Sequence, residues 1–201
     1  MSAIPSADDL IARARALAPK LRERAERAER DRNIPKESVE DYINAGLLHT
    51  IQPKRWGGYE HDHETAFNIA IELGKSTCGS SAWCLNYLSD HLGILAHFPD
   101  EAQHDVWSKN KLACIATSAA PTGKSEVAPG GYRLNGRWSW CSGLRHSQWI
   151  MIGGLVFREG EHHPDMRLHL VPVSDVKQED TWYCAPQWMQ TGAVTPSSSG
   201  R

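Results

Sequence analysis

The spacing of apolar residues changes once along this chain, near Lys111, and this change constrains the fold more than any other feature of the sequence. Up to that point apolar residues recur every three or four positions, which is typical of amphipathic helices. Beyond it, short segments rich in β-branched and aromatic residues are separated by Gly, Pro and Ser, which indicates strands. The sequence therefore predicts an α+β protein: an N-terminal all-α helical domain (residues 1–110), a small antiparallel β-sheet or barrel domain (111–185) and a disordered polar tail (186–201).

Composition and charge narrow the possible functions. The chain has 201 residues and a formal net charge of −2, so it carries no basic surplus for nucleic acid or a membrane surface. It contains no run of roughly 18 apolar residues, and its first residues lack the basic and apolar regions of a signal peptide. Its five cysteines form no CxxC pair, which indicates reduced, mostly buried thiols. We expect a cytoplasmic protein that binds neither nucleic acid nor membrane.

Capping residues and glycines predict where the helices begin and end. A first amphipathic helix is expected over residues 6–32. A second is expected after Asn33, as a capping candidate, with Pro35 near its first turn and its end around Gly46. Asp62 is expected to cap the third helix. The next helix, over residues 82–98, is apolar nearly all round, which predicts that it is buried.

The segment LNGRWSWCSG, residues 134–143, carries two indoles beside a turn signal. The Asn135-Gly136 pair predicts a two-residue type I′ hairpin, because both central positions of that turn need positive φ. In a strand, side chains alternate between two faces. One face would then carry Trp138, Trp140 and Ser142, and the other Ser139 and Cys141. The simplest interpretation is that both indoles fill the core of a sheet; a binding site for a flat aromatic group is the alternative.

Most of the ten histidines do not predict a metal site. His61 and His63 lie at the loop that leads into a helix cap, and 162–163 lie in a turn. No Cys or carboxylate spacing completes a ligand set around either pair, so no metal is expected. We expect His146 to have a structural role.

Four segments carry a resemblance to a known family. They are IPKESVEDYINAGLLHTIQPKRWGGYE, CGSSAWCLNYLSDHLGILAHFPDEAQHDVW, APGGYRLNGRWSWCSGLRHSQW and DTWY, which together reach from residue 34 to residue 183. In this order they resemble the acyl-CoA dehydrogenase fold superfamily. Within it, the chain is most similar to the oxygenase components of two-component flavin-dependent monooxygenases, such as the hydroxylases of 4-hydroxyphenylacetate and of secosteroid phenols. Family members continue into a C-terminal helical bundle, whereas the sequence after residue 185 departs from their pattern, so we expect a chain truncated before that bundle.

The resemblance implies a flavin site in the β domain. In the dehydrogenases the corresponding strand approaches the flavin at N5, which implies that Trp140 packs beside the isoalloxazine ring and that Cys141 and Ser142 lie near N5. Thr117 and Ser118 match the positions that hold the pyrimidine end of the flavin. The acidic residue of the dehydrogenase motif is missing beside them. This difference favours the monooxygenase branch.

The resemblance also implies two catalytic residues, His91 and Ser142. In the monooxygenase relatives a histidine of the apolar helix faces the flavin and the phenolic substrate, and an imidazole is suited to accept a phenol proton. Ser142 would hold the N5 proton. The alternative for His91 is a packed histidine bonded to a backbone carbonyl.

The function implied is that of the oxygenase component of a reduced-flavin-dependent monooxygenase. Reduced FMN or FAD, supplied by a separate flavin reductase, would react with O₂, and a C4a-hydroperoxyflavin would hydroxylate a small phenolic substrate. Full-length relatives are expected to be homotetramers. Two alternatives remain open: an acyl-CoA dehydrogenase-like flavoenzyme, and an inactive truncated fragment that keeps the fold. We expect the chain alone to bind flavin weakly and to hydroxylate poorly.

Overall fold

The structure is a computed structural model that describes residues 3–76, 79–158, 160, 162–181 and 193–196. It forms a helical unit up to Cys114 and a sheet unit from Ile115 onward. The order of elements, helices first and strands afterwards, confirms the predicted α+β class.

In the described residues, the helical unit contains six α-helices. They are α1 (Ala7–Glu23), α2 (Ala25–Arg30), α3 (Lys36–Asn44), α4 (His63–Ser76), α5 (Gly79–Leu95) and α6 (Asp100–Trp107). The first predicted helix is divided at Arg24, whose backbone is not helical. Ser6 caps α1 and exchanges hydrogen bonds with Asp9 in a capping box.

Two of the three predicted helix boundaries are confirmed. Gly46 is left-handed, with φ 79°, and the Asp62 carboxylate accepts a hydrogen bond from the Thr65 amide at 2.9 Å. Of the two residues expected at the start of α3, Asn33 is not the cap: the N-cap is Pro35, and no side-chain capping hydrogen bond forms there among the described residues. A proline suits this position because its ring fixes φ and its missing N–H is not needed at a helix start.

The core of the helical unit is formed by leucines of α1, α4 and α5, together with Tyr42 of α3. Leu85, Leu88 and Leu92 of α5 are fully buried, as its apolar composition predicts. One face of α5 nevertheless stays exposed, which the prediction did not include. Among the described residues, no helix is long and apolar enough to span a membrane.

The described part of the sheet unit contains two sheets. Its strands are β1 (Ile115–Ala128), β2 (Gly131–Asn135), β3 (Trp149–Val156), β4 (Asp165–Pro172), β5 (Val176–Glu179) and β6 (Ala193–Pro196). The larger sheet has the order β2-β1-β3-β4, and β5 pairs with β6. The larger sheet is mixed and not antiparallel throughout, because β1 and β3 run parallel. The segment between β2 and β3 returns the chain to the start of β1, so β3 begins opposite Ile115.

The predicted hairpin turn at Asn135-Gly136 is wrong. The turn that joins β1 to β2 lies at residues 129–130, where Gly130 has φ 79°. Gly136 has no positive φ, and a Cβ on it would lie 2.6 Å from the Gly123 Cα. The sheet therefore needs a glycine at 136 for close packing and not for a turn.

The predicted disordered tail and two cysteines fall largely outside the description. Residues 186–192 and 197–201 lie outside the described residues, whereas 193–196 form β6, because they pair with β5. Cys84, Cys114 and Cys141 are buried thiols, as expected. Cys78 and Cys184 lie outside the described residues.

Candidate functional site

The candidate site is built where the segment after β2 runs along the first half of β1. Ser118 Oγ donates to the Ser139 carbonyl at 2.6 Å, and farther along Thr122 Oγ1 donates to the Arg137 carbonyl at 3.0 Å. Thr117 forms an antiparallel bridge with Ser142. The hydroxyl residues of β1 therefore hold residues 137–142 in place, where no regular strand forms.

Trp138 is the anchor of this segment in the core of the sheet unit. Its indole is fully buried, and Nε1 donates to the Gly153 carbonyl at 2.6 Å. A Cβ on Gly123 would lie 1.9 Å from the indole ring, so only glycine leaves room for it there. The interpretation of an indole that fills the sheet core is correct for Trp138.

Trp140 has the opposite environment. Its side chain is 62% exposed, and its backbone is in the left-handed region with φ 65°. The Ser142 amide donates to the Trp140 carbonyl at 3.0 Å, which closes a tight turn. The predicted alternation is therefore wrong: Trp138 and Trp140 do not share a face, because the positive φ interrupts the pleat of a strand. A bulky residue in this conformation is strained and is held there by its surroundings.

Buried hydroxyls surround the turn. Thr117, Ser118 and Ser142 are all buried. The Ser118 hydroxyl is occupied by the Ser139 carbonyl. Thr117 Oγ1 is buried without a hydrogen-bond partner in the described part of the chain. A buried hydroxyl without a hydrogen-bond partner lowers the stability of the fold, so its presence needs an explanation.

Cys141 belongs to the core and not to the surface of the turn. Its side chain packs with Trp138, Ile150 and Ile152 in the hydrophobic core of the sheet unit. Its Sγ lies 3.5 Å from the Trp138 carbonyl, and burial raises the pKa of the thiol to about 12. The side chain is therefore a neutral packing group, and only the backbone of Cys141 is available to a ligand.

His91 lies in the helical unit, on α5, and is buried. The ring of Tyr87 contacts it edge to face, with centroids 4.8 Å apart and planes at 83°. Tyr87 precedes His91 by four positions, a spacing that places both on one helix face and would have identified the contact from the sequence. The five other predicted site residues, Thr117, Ser118, Trp140, Cys141 and Ser142, are brought together in the sheet unit.

A second polar pair in the sheet unit was not predicted. Ser125 Oγ lies 2.8 Å from His169 Nε2, although the two residues are 44 positions apart. The pair crosses β3 above Gly154, where a Cβ would lie 2.1 Å from Ser125 Oγ. Burial first, and the Arg167 guanidinium second, lower the pKa of His169. Because strand pairing alone brings these residues together, no local sequence signal reveals the pair.

Two other histidines of the sequence analysis have a polar neighbour within 4.0 Å. His61 Nε2 lies 2.9 Å from the Pro5 carbonyl, and His63 Nδ1 lies 4.0 Å from Asp90 Oδ1. His146 ends a short 3₁₀ helix. Over the described ranges, no three His, Cys, Asp or Glu side chains form a group that could hold a metal ion.

Comparison with known proteins identifies the family to which this architecture belongs. The family model of the acyl-CoA dehydrogenase N-terminal domain matches residues 6–113, more than half of the chain. The chain belongs to the acyl-CoA dehydrogenase N-terminal domain family. Members of this family can differ in chemistry, so individual relatives are informative.

The relatives of this acyl-CoA dehydrogenase family chain include named flavin-dependent oxygenases. It is 38% identical over 167 residues to the flavin-dependent monooxygenase oxygenase subunit HsaA of Rhodococcus jostii, covering 83% of this chain and 43% of the relative. It is 33% identical over 174 residues to the FADH₂-dependent resorcinol hydroxylase oxygenase component of a Rhizobium species, covering 87% and 42%. The solved HsaA structure from Mycobacterium tuberculosis has a TM-score of 0.91 at 31% identity, covering 98% and 53%. The chain thus spans about half the length of these relatives.

Proposed function

We propose that this chain carries the N-terminal part of the oxygenase component of a reduced-flavin-dependent monooxygenase that hydroxylates a phenolic substrate. The observation that carries the proposal is the turn at Trp140: an exposed, strained indole lies two residues before Ser142. Ser142 forms a bridge with Thr117, whose buried hydroxyl has no hydrogen-bond partner among the described residues. The names of the relatives, which include a flavin-dependent monooxygenase and a resorcinol hydroxylase, support the same chemistry.

The residues at this turn fit a flavin. An isoalloxazine is a large aromatic plane with a polar pyrimidine edge, so its site needs an aromatic wall and a few hydrogen-bonding groups. Trp140 offers an exposed indole, and Thr117 Oγ1 offers a hydroxyl with unused hydrogen-bonding capacity. A bound ring edge would satisfy that hydroxyl, which gives the unpaired Thr117 a physical reason.

Each residue of the turn has a distinct role in this proposal. Trp140 stacks beside the flavin, while Thr117, assisted by Ser118, recognises the pyrimidine end. Ser142 and the backbone of Cys141 bind near N5, where the Ser142 hydroxyl holds a proton. Reduced flavin, when bound, supplies the electrons that activate O₂ for transfer of one oxygen atom to the aromatic ring.

His91 is the proposed base for the phenol. A neutral imidazole accepts the phenol proton near neutral pH, and the resulting phenolate is the better nucleophile. The contact with Tyr87 restricts how the ring of His91 can turn. A separate flavin reductase, O₂ as co-substrate, a cytoplasmic location and a homotetramer in full-length relatives belong to the same proposal.

The test combines flavin binding with reductase-coupled turnover. Purified chain 1–201 is titrated with FMN and with FAD, and flavin fluorescence is followed. We expect weak binding that Trp140→Ala weakens at least about fivefold, because one stacked ring contact is lost. Val127→Ala, which removes an exposed side chain from the other end of β1, is the matched control.

Turnover is measured with NADH, a flavin reductase and resorcinol, and the hydroxylated product is quantified with ¹⁸O₂ as oxygen source. We expect slow hydroxylation accompanied by much H₂O₂, and less product with His91→Ala. Reduction of a dye by an acyl-CoA, without hydroxylation of any phenol, would instead identify an acyl-CoA dehydrogenase. Flavin binding that is equal in the wild type and in Trp140→Ala would contradict the proposed site.

A further inference from the structure

The Asn135-Gly136 pair does not form the tight turn that its composition predicts, but the pair favours a reaction of the chain with itself. Gly136 has no positive φ, and the turn between β1 and β2 lies elsewhere. The chain contains six asparagines, and Asn135 is the only one that a glycine follows. The pair is therefore chemically distinct from every other asparagine position.

An asparagine that precedes a glycine reacts without a cofactor or an oxidant. The backbone nitrogen of the glycine attacks the side-chain carbonyl carbon, a five-membered succinimide ring closes, and the side-chain nitrogen leaves as ammonia. Water then opens the ring at one of its two carbonyls and yields either aspartate or isoaspartate. Glycine favours ring closure because it has no Cβ to hinder the attacking nitrogen.

The structure leaves both reacting groups available. Asn135 is the last residue of β2 and is exposed. The ladder between β1 and β2 ends where Asn135 pairs with Lys124, so the backbone nitrogen of Gly136 lies beyond the ladder. Among the described residues, no backbone hydrogen bond outside the helices and strands has that nitrogen as its donor. Attack by this nitrogen therefore does not require the strands to separate.

The main chain at Gly136 has no spare room. A Cβ on Gly136 would lie 2.6 Å from the Gly123 Cα and 3.2 Å from Trp138 Cη2. One residue later, the Arg137 carbonyl accepts a hydrogen bond from Thr122 Oγ1 at 3.0 Å. The chain is therefore held by strand pairing on one side of Gly136 and by this hydrogen bond on the other.

The two products of the reaction have different effects on the fold. In isoaspartate the main chain runs through the former side chain, which adds one methylene between positions 135 and 136. The extra atom displaces Gly136 from Gly123 and disturbs the close packing of the Trp138 indole beside them. Ordinary aspartate keeps the backbone unchanged. Its new carboxylate lies across the ladder from Lys124, and opposite charges are favourable at directly paired positions.

We propose that Asn135 is a site of spontaneous modification, at which conversion to isoaspartate lengthens the main chain beside Gly123 and loosens the anchored indole of Trp138. The reaction consumes one water, releases one ammonia and changes no oxidation state. It needs no flavin, so it is independent of the proposed function. The position that only glycine can occupy in the fold is thus also the position that makes Asn135 reactive.

The first test measures the rate of the reaction. Purified chain 1–201 is incubated at mildly alkaline pH, and conversion of each asparagine is followed by peptide mapping with mass spectrometry. We expect Asn135 to react at least about tenfold faster than Asn110, which is also exposed but precedes Lys111. Asn135→Gln is the matched control. It keeps a neutral amide but should not react on this timescale, because its longer side chain would have to close a less favourable six-membered ring.

The second test measures the consequence for the fold. Isoaspartate is quantified by enzymatic methylation of its carboxylate, and urea unfolding of the incubated chain is followed by tryptophan fluorescence. We expect a new transition at lower urea whose amplitude equals the isoaspartate fraction. Asn135→Gln, incubated in the same way, should keep a single transition. Asn135→Asp carries the new charge without the longer main chain and should unfold at the urea midpoint of the fresh wild type.

Three results would overturn the proposal. Equal rates at Asn135 and Asn110 would show that the pair with Gly136 is not a preferred site of modification. Isoaspartate at position 135 in a chain that still unfolds at the original urea midpoint would show that the fold accommodates the longer main chain. An Asn135→Asp variant as unstable as the isoaspartate form would assign the effect to charge and not to the main chain.

Discussion

Trp138 and Trp140 are separated by one residue, yet they lie in regions of opposite character. Trp138 is fully buried and hydrogen-bonded to the Gly153 carbonyl, in space that Gly123 leaves open. Trp140 is exposed and has a left-handed backbone. The indole of Trp138 is packed and hydrogen-bonded as a core side chain, whereas the backbone of Trp140 is strained. Ser142, two residues after Trp140, bridges to Thr117, whose hydroxyl has no partner among the described residues.

This difference shows that two residues of one short segment can have separate roles: one stabilises the core, and the other is exposed to a ligand. A bulky residue in the left-handed region costs about 1–3 kcal/mol and persists only where the surroundings hold it. Trp138 supplies that hold from one side and the bridge between Thr117 and Ser142 from the other. The anchored indole thus keeps the exposed indole in a fixed position for a ligand.

The largest effect is expected from removal of the anchor. Trp138→Ala should lower the free energy of unfolding by about 3–5 kcal/mol, because it creates a cavity and leaves the Gly153 carbonyl without its donor. Urea unfolding followed by circular dichroism measures this change. Trp140→Ala is the matched control and should change stability by less than about 1 kcal/mol. Equal losses of stability in both variants would contradict the different roles of Trp138 and Trp140.

The next effect concerns the hydroxyl that holds the turn. Ser118→Ala should lower the free energy of unfolding by about 1–2 kcal/mol, because the Ser139 carbonyl loses its donor. The same unfolding assay applies, with Ser174→Ala as control, because its exposed hydroxyl donates to the neighbouring Asp175. A Ser118 variant as stable as the control would mean that this bond does not hold residues 137–142.

Relief of strain at Trp140 should act on stability and binding in opposite directions. Trp140→Gly should raise the free energy of unfolding by about 1 kcal/mol, because glycine adopts positive φ without a steric penalty. The same variant should bind FMN or FAD more weakly, since the aromatic wall is lost. Thermal unfolding and a fluorescence titration on one preparation test both signs. A variant that is destabilised would show that Trp140 is not strained.

A smaller effect is expected at the unpartnered hydroxyl. Thr117→Val should change the free energy of unfolding by no more than about 0.5 kcal/mol, because it removes a polar atom that has no bond to lose. Flavin affinity should nevertheless fall, which separates this position from Ser118. If Thr117→Val destabilises the chain as much as Ser118→Ala does, the hydroxyl has a structural role.

The smallest expected effect is a dependence of stability on pH that arises from His169 in the sheet unit. Because the pKa of His169 is lowered in the folded chain, the unfolded chain takes up this proton at higher pH. The contribution is therefore complete above the ordinary histidine pKa of 6.5 and is lost as pH falls below it. Urea midpoints between about pH 7.5 and about pH 5.5 should fall less in His169→Gln than in the wild type. Identical slopes would exclude His169 as the source.

The helical part of the fold could be predicted well because its signals are local. The 3.6-residue period, the Asp62 cap and the left-handed Gly46 involve residues that are neighbours in the chain. The error at Asn33 is equally local, since Pro35 is an equally good helix start. For the site, the spacing of four between Tyr87 and His91 contained a signal that could have been used.

The sheet and the site could be predicted only in part. β-rich composition indicates that strands exist, but the parallel pairing of β1 with β3 depends on the path of the segment between β2 and β3. Asn135-Gly136 has the composition of a type I′ turn, yet Gly136 is required by its closeness to Gly123. Pairing and close approach involve residues distant in sequence, so local propensity does not specify them.

The sequence by itself determined the α+β class, most helix boundaries and the family resemblance, because periodicity, caps and motifs are properties of contiguous residues. Only the tertiary structure decided which indole is buried. The alternation rule assumes a pleated strand, whereas the fit of Trp138 between Gly123 and Gly153 and the turn at Trp140 replace that strand with a strained segment. Whether an indole is buried or exposed depends on the space that residues distant in sequence leave open. The residues of the segment itself do not specify that space.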